Sequence, residues 1–245
     1  MISKKSKLAD IVNRHSELLN VLRRLGIKLG FADKTVGEVC EQYGVNSDFF
    51  IELATLVVDP GDFNPKYIEN FTTAPTIEYL RRSHEAYGRE NLPEIESSIA
   101  ALERGESSRR EEASALRMFF ENYRKEAIRH FQYEDGVVFP YILRIESGFT
   151  GAESAENLAR LIPESSIVNY IKMHNPLDEQ LDDLKNLLIK YFKPFEDART
   201  SQALLQSLFE MERDLKNHEL IENQILFPQV LRMERYILER GEAGK

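Results

Sequence analysis

His130 and Glu134 stand four residues apart, and so do His218 and Glu222. On a helix, that spacing puts both side chains on one face, about 40° apart. The two pairs are copies of each other. Each is followed by a Phe-Pro dipeptide (Phe139–Pro140, Phe227–Pro228), then Leu-Arg (Leu143–Arg144, Leu231–Arg232), then a glutamate (Glu146, Glu234), every match at an offset of 88 residues. An internal repeat of this kind is a structural unit used twice. His84 and His174 make a further matched pair at an offset of 90, so four of the five histidines fall at equivalent places in two halves, and His15 stands apart near the N-terminus.

The shared face is apolar. Tyr123, Ala127, Val137 and Tyr141 fall on it in the first copy, and Met211, Leu215 and Ile225 in the second. A carboxylate in such a stripe is costly unless it is paired, hydrogen-bonded or on a metal. Four imidazoles and two carboxylates suit two metal ions, each taking two histidines, with Glu134 and Glu222 bridging. Nitrogen and oxygen donors without thiolate suit iron, manganese or zinc rather than copper(I). Carboxylate bridging of two ions is the di-iron arrangement, so iron is the first choice. A lone core histidine is usually a packing residue, and one His-x-x-x-Glu pair is usually a surface pair. Two copies in register, with two further histidines in register, are not explained that way. The Phe-Pro pairs predict kinks that shape the bundle end and carry no chemistry.

These residues need long helices to hold them. Apolar residues recur at helical spacing almost throughout, with 12 glycines and 9 prolines in 245 residues, so the chain reads as all-α. Four long periodic stretches run over 75–104, 107–146, 164–192 and 198–240, broken at Gly105, Gly148 to Pro163, and Pro194 to Asp197. They predict an up-down-up-down four-helix bundle. A small helical module precedes it. Leu8, Ile11, Val12, Leu18, Leu19, Leu22 and Leu25 form one apolar set ending at Gly26; Thr35 caps Val36–Tyr43; Asn46 or Ser47 caps Phe49–Val58. The run Asp59 to Pro65 reads as a linker, which divides the chain into 1–60 and 61–245.

Composition narrows the function further. A net charge of −9 argues against nucleic acid as partner, and no apolar run is long enough to span a membrane. No signal peptide is expected, because no apolar run follows the basic residues at the N-terminus. One cysteine, Cys40, excludes an intramolecular disulfide and a thiolate-held cluster, and suits a reducing cytoplasm. Cys40 reads as a packed small hydrophobe.

The duplicated His-x-x-x-Glu motif with its two partner histidines resembles the hemerythrin-like family, and within it the Repair of Iron Centers (RIC) proteins. The resemblance covers essentially the whole chain. Segment 5–58 is similar to their small N-terminal domain and 72–240 to their hemerythrin-like bundle. It implies a non-haem centre of two iron ions, oxo- or hydroxo-bridged, held by His84, His130, Glu134, His174, His218 and Glu222. Hemerythrin oxygen carriers use five bundle histidines, whereas this bundle has four. The family's N-terminal Cys-Cys-Gly-Gly turn is replaced by Gly30, Phe31, Ala32 and Asp33, so dithiol chemistry is absent from that module. Pro176, two residues after His174, sets that histidine at a kink or just before a helix start. Asp178 is a weaker ligand candidate, more readily read as a solvated acid; Tyr133 and Tyr123 are candidates for donating hydrogen bonds to the ligands or for redox activity, but ordinary core packing is the better reading of both.

The resemblance implies a stress protein that repairs iron–sulfur centres by iron donation, or that handles nitric oxide or oxygen by redox chemistry. An oxidoreductase acting on either gas stays open. Iron–sulfur proteins would be the iron acceptors, and the chain would act as monomer or homodimer. The alternative is a module that binds or senses oxygen or nitric oxide without catalysis, or one whose metal only braces the bundle. A ferritin-like oxidase is disfavoured, since that group pairs carboxylate with histidine three residues on. Six ligands in two matched halves lead to one expectation: protein purified from iron-replete cells carries two iron atoms per chain by elemental analysis. A single tightly held zinc would contradict it.

Overall fold

The computed structural model describes residues 2–64, 71–105, 110–173 and 177–243, with the side chains of residues 178, 179, 242 and 243 outside that description. The chain is an all-α bundle fold, and no β-strand occurs among the described residues. Its helices are α1 (Leu8–Arg14), α2 (Leu18–Arg24), α3 (Val36–Tyr43), α4 (Ser47–Val58), α5 (Ala74–Ala86), α6 (Leu92–Gly105), α7 (Arg110–Tyr133), α8 (Phe139–Phe149), α9 (Ala155–Ser165), α10 (Ile167–Met173), α11 (Asp178–Asn186), α12 (Ala198–Ile221) and α13 (Phe227–Ala243). No helix among the described residues is long and apolar enough to cross a membrane.

Four of the joints between these helices are π turns: Tyr87–Asn91, Glu134–Val138, Leu187–Tyr191 and Glu222–Leu226. In each, an N–H reaches back five residues instead of four. Leu92 bonds to the Tyr87 carbonyl, Phe139 to Glu134, Phe192 to Leu187 and Phe227 to Glu222. Pro93, Pro140, Pro194 and Pro228 follow within three residues of the turns. A proline inside a regular α-helix loses a hydrogen bond and strikes the preceding turn, at about 3 kcal/mol. Widening one turn lets the chain continue as helix, so the predicted kinks are π turns. One extra residue also rotates everything downstream by about 100°. That is why Val137, expected on the buried face, is 51% exposed while Val138 is buried.

Contacts gather the chain into two compact bodies. The second comprises residues 81–140 and 173–216. Four helical stretches pack here around one core that includes Ile95, Ile99, Leu116, Phe120, Leu181, Leu204 and Met211. Ion pairs give the register of α6 against α7. Arg117 Nε is 3.3 Å from Glu103 and Arg124 Nε is 3.7 Å from Glu96, so numbers rise on one helix as they fall on the other.

The first body comprises residues 1–80, 141–172 and 217–245. Thr35 and Glu38 form a reciprocal capping box at the start of α3, and Asn46 caps α4. Buried Arg24 donates to the Tyr79 hydroxyl at 3.3 Å, which ties α2 to α5. Cys40 is 1% exposed, as its packing role requires, and burial pushes its thiol up to about 11. Helix α9 occupies a stretch read from the sequence as a break at Gly148 to Pro163. Pro163 sits inside it with an exposed ring, and Leu158 and Ile162, four apart, turn inward. Gly148 and Gly241 allow this packing: a Cβ on either would lie 2.1 Å from Leu158 Cδ1 or 2.7 Å from Ala159 Cβ.

The last matched residues of the repeat, Glu146 and Glu234, cap helices. Glu146 accepts from the Thr73 backbone N–H at 2.8 Å and its hydroxyl at 2.9 Å, at the entry to α5. Glu234 accepts from the Ile167 N–H at 2.9 Å, at the entry to α10, and from Ser166 Oγ at 2.8 Å and the Tyr141 hydroxyl at 2.5 Å. Burial, and then this bond to Glu234, raise the Tyr141 pKa. Glu234→Ala strands three donors and should cost about 3 kcal/mol by urea denaturation. Glu153→Ala, which removes an exposed partner of Arg144, should change the midpoint little.

Candidate metal centre

In the second body, the antiparallel register sets His84 of α5 opposite the end of α7. His84 Nε2 stands 3.1 Å from Glu134 Oε2, and His130 Nε2 stands 3.4 Å from Glu134 Oε1. Two imidazoles from two helices thus face the two oxygens of one carboxylate. Glu134 is fully buried and His84 is 5% exposed. The His84 ring stacks on Phe131 at 4.7 Å and on Phe139 at 5.7 Å between centroids. Its other nitrogen, Nδ1, is 3.1 Å from Asp135 Oδ1.

The first body holds the second copy of the motif. His218 Nδ1 lies 3.9 Å from Glu222 Oε2, and both residues are buried. Glu222 opens a π turn just as Glu134 does. His174 lies outside the described residues, as does the Asp178 side chain. Tyr123 is buried and packs with Phe120, as core packing requires. Tyr133 is not in the core: it is 46% exposed, because residue 133 falls about 100° from the buried direction of residue 134. His15 pairs with Glu17 at 3.3 Å in the N-terminal module. Asp135 escaped the sequence reading; its counterpart in the repeat is Asn223, one of many positions at which the two copies differ, so spacing gave no signal for it.

His84 of α5 and His130 of α7 bring imidazole nitrogens to the two oxygens of one buried carboxylate, donors of the type that a metal ion takes. Without a metal, this buried carboxylate can be balanced by a proton on an imidazole. Burial disfavours that proton on His84, but hydrogen bonds to Asp135 and Glu134, with their charges, outweigh it and raise the pKa above the ordinary histidine value.

No protein-family model matches the chain. Individual relatives do. The chain is 22% identical over 231 residues to the iron-sulfur cluster repair protein ScdA of Staphylococcus haemolyticus, spanning 93% of this chain and 98% of that one. It is 27% identical over 188 residues to the iron-sulfur cluster repair protein YtfE of Cronobacter sakazakii, spanning 75% and 76%. This chain is a distant homologue of the iron-sulfur cluster repair proteins. The resemblance to RIC proteins read from its motifs agrees with these relatives. The YtfE of Citrobacter koseri aligns likewise, 26% identical over 184 residues and 74% of each chain.

A metal must displace any proton from His84, and the raised pKa moves that competition to higher pH. Cobalt(II) affinity should therefore weaken by about tenfold per pH unit below the His84 pKa, starting above the pH expected of an ordinary histidine. Titration calorimetry across neutral and mildly acid pH checks this. Glu134→Ala should lose the bound metal at every pH.

Proposed function

We propose that this chain is a non-haem di-iron protein that repairs iron–sulfur centres under nitrosative and oxidative stress by giving up iron to damaged clusters. The observation that carries the reading is buried His84 and half-buried His130 facing the buried Glu134 carboxylate, in a chain aligned along nearly its whole length with a named iron-sulfur cluster repair protein. The proposed ligands are His84, His130, Glu134, His174, His218 and Glu222, with each ion taking two imidazoles and both glutamates bridging. Two irons bound there would supply a ferrous–ferric couple and open coordination positions for nitric oxide or oxygen.

The chain's own residues set the terms of that chemistry. Glu134 turns one oxygen toward His84 and the other toward His130, the disposition a bridging carboxylate needs. Phe131 and Phe139 stack on His84 and shield that side from water. Two carboxylates among six ligands leave much of the metal charge uncompensated, which favours release over the grip of an all-carboxylate site. Cys40, buried with its thiol pKa raised, offers no thiolate, so iron transfer here proceeds without a thiol of this chain. Iron–sulfur proteins are the proposed partners and the cytoplasm the proposed compartment. Residues 1–60 form the proposed N-terminal module and 61–245 the iron-bearing one.

The test loads the protein anaerobically with ferrous iron and mixes it with an enzyme whose cluster has been oxidatively damaged. Iron transfer with recovery of that enzyme's activity is expected, as is reaction of the reduced protein with nitric oxide in stopped flow. Aerobic exposure should oxidise the centre. A long-lived reversible oxygen complex, with no iron transferred and no reaction with nitric oxide, would place the chain among carriers or sensors.

A further inference from the structure

Helix α2 ends in a turn that opens a groove. Gly26, at a φ of 74°, takes the left-handed conformation that closes a helix. The Ile27 N–H reaches back to the Leu22 carbonyl at 2.8 Å, and the Gly26 N–H to the Arg23 carbonyl at 3.0 Å. A turn of this kind sets Ile27 against Leu22, and both are buried. The chain then leaves the helix, and Leu29 comes out 68% exposed; Leu19, on the helix itself, is 42% exposed. These four apolar residues, with Arg23 and Lys28, line a groove of about 640 Å³.

The groove is basic on an acidic protein. Residues 1–35 carry eight lysines and arginines against three aspartates and glutamates, whereas the whole chain carries 32 against 41. Two of those three acids are engaged elsewhere: Asp33 pairs with Lys7 at 3.1 Å and Glu17 with His15 at 3.3 Å. No acidic side chain lines the groove among the described residues. Arg23 and Lys28 are exposed there, and Lys28 has no partner among the described residues.

An exposed leucine alone means little. Two at a groove with an unpaired cation fit a counterpart that brings apolar side chains and carboxylates together. No β-strand occurs among the described residues, so no sheet edge is offered to an extended peptide. The walls carry leucine and isoleucine in place of the aromatic rings that hold polyproline segments. The remaining mode is a helix laid in a groove, with anchors at i, i+3 or i+4, and i+7 along one face.

We propose that this groove docks an acidic amphipathic helix of a partner protein, its apolar side chains on Leu19, Leu22, Ile27 and Leu29 and its carboxylates at Arg23 and Lys28. The acidic remainder of the chain repels such a partner while the basic segment attracts it, so the protein's own field steers it to the groove. Docking here does not involve the metal centre.

The test uses the full-length protein and fluorescent helical peptides with leucine or phenylalanine on one face and glutamate along both edges. Copies with lysine in place of glutamate are the controls. Fluorescence anisotropy at low salt should show binding of the acidic peptides and at least about tenfold weaker binding of the lysine copies. Lys28→Glu should weaken binding several-fold and flatten its salt dependence. Leu29→Ser should weaken it by about tenfold, the worth of burying one leucine. Both side chains are exposed, so both variants should keep the native thermal midpoint. Amide resonances that shift on binding should cluster at residues 19–29. No binding of any acidic peptide up to about 1 mM, equal binding of the lysine copies, or native affinity in both variants would overturn the assignment. So would a native chain that self-associates and turns monomeric on Lys28→Glu, which would make a second copy the occupant. Tighter binding to phosphatidylglycerol vesicles than to the peptides would overturn it in favour of a lipid surface.

Discussion

Burial of the Glu134 carboxylate is the constraint on which the second body depends. A bare carboxylate out of water costs several kcal/mol, so whatever surrounds it must supply compensating charge or hydrogen bonds. Here the compensation is two imidazoles, one from α5 and one from the turn of α7 before it. The rest of the body holds those rings still. Phe131 and Phe139 stack on His84, and the antiparallel pairs Arg117–Glu103 and Arg124–Glu96 keep α6 and α7 in the register that brings His84 to Glu134. A slip of one residue along α7 would turn Glu134 away by about 100° and leave both histidines without it.

The π turns serve the same end. Glu134 and Glu222 each begin one, and Tyr87 begins another three residues after His84. Such turns gather at functional sites because they re-aim side chains without ending the helix. In this chain the cause is local and visible: a proline, which has no N–H to donate, follows each turn. The result is that two consecutive acids, Glu134 and Asp135, reach the two nitrogens of one ring. The first copy of the motif thus both holds and orients its histidine.

Glu146 and Glu234 extend the logic to the first body. Each satisfies orphan N–H groups at the entry of a helix, α5 in one case and α10 in the other, and α5 is the helix that carries His84. The duplicated sequence therefore encodes an anchoring device as well as ligand candidates. Homology to iron-sulfur cluster repair proteins gives the whole a functional direction, and the absence of any usable thiol narrows how this chain can serve it.

Much was legible in the sequence because spacing alone carries it. The all-α class, the limits of most long helices, the packing of Cys40 and the pairing of His130 with Glu134 all follow from periodicity and repeat offset. The sequence could not show that Pro140 and Pro228 would be absorbed by π turns, since that depends on whether neighbouring helices reward continuing the helix. With the turns unseen, a steady 3.6-residue phase put Val137 inside, although the structure exposes it; Tyr133, also read as a core residue, is exposed too, because it lies a helical step away from buried Glu134. Helix α9 was hidden for the same reason: Pro163 reads as a stop until Leu158 and Ile162 find α13 to pack on. Above all, the sequence said that His84 matters but not what touches it. That Glu134 and Asp135 take its two nitrogens was decided only when α5 and α7 packed antiparallel, because a contact across about 50 residues of chain leaves no periodic trace in either segment.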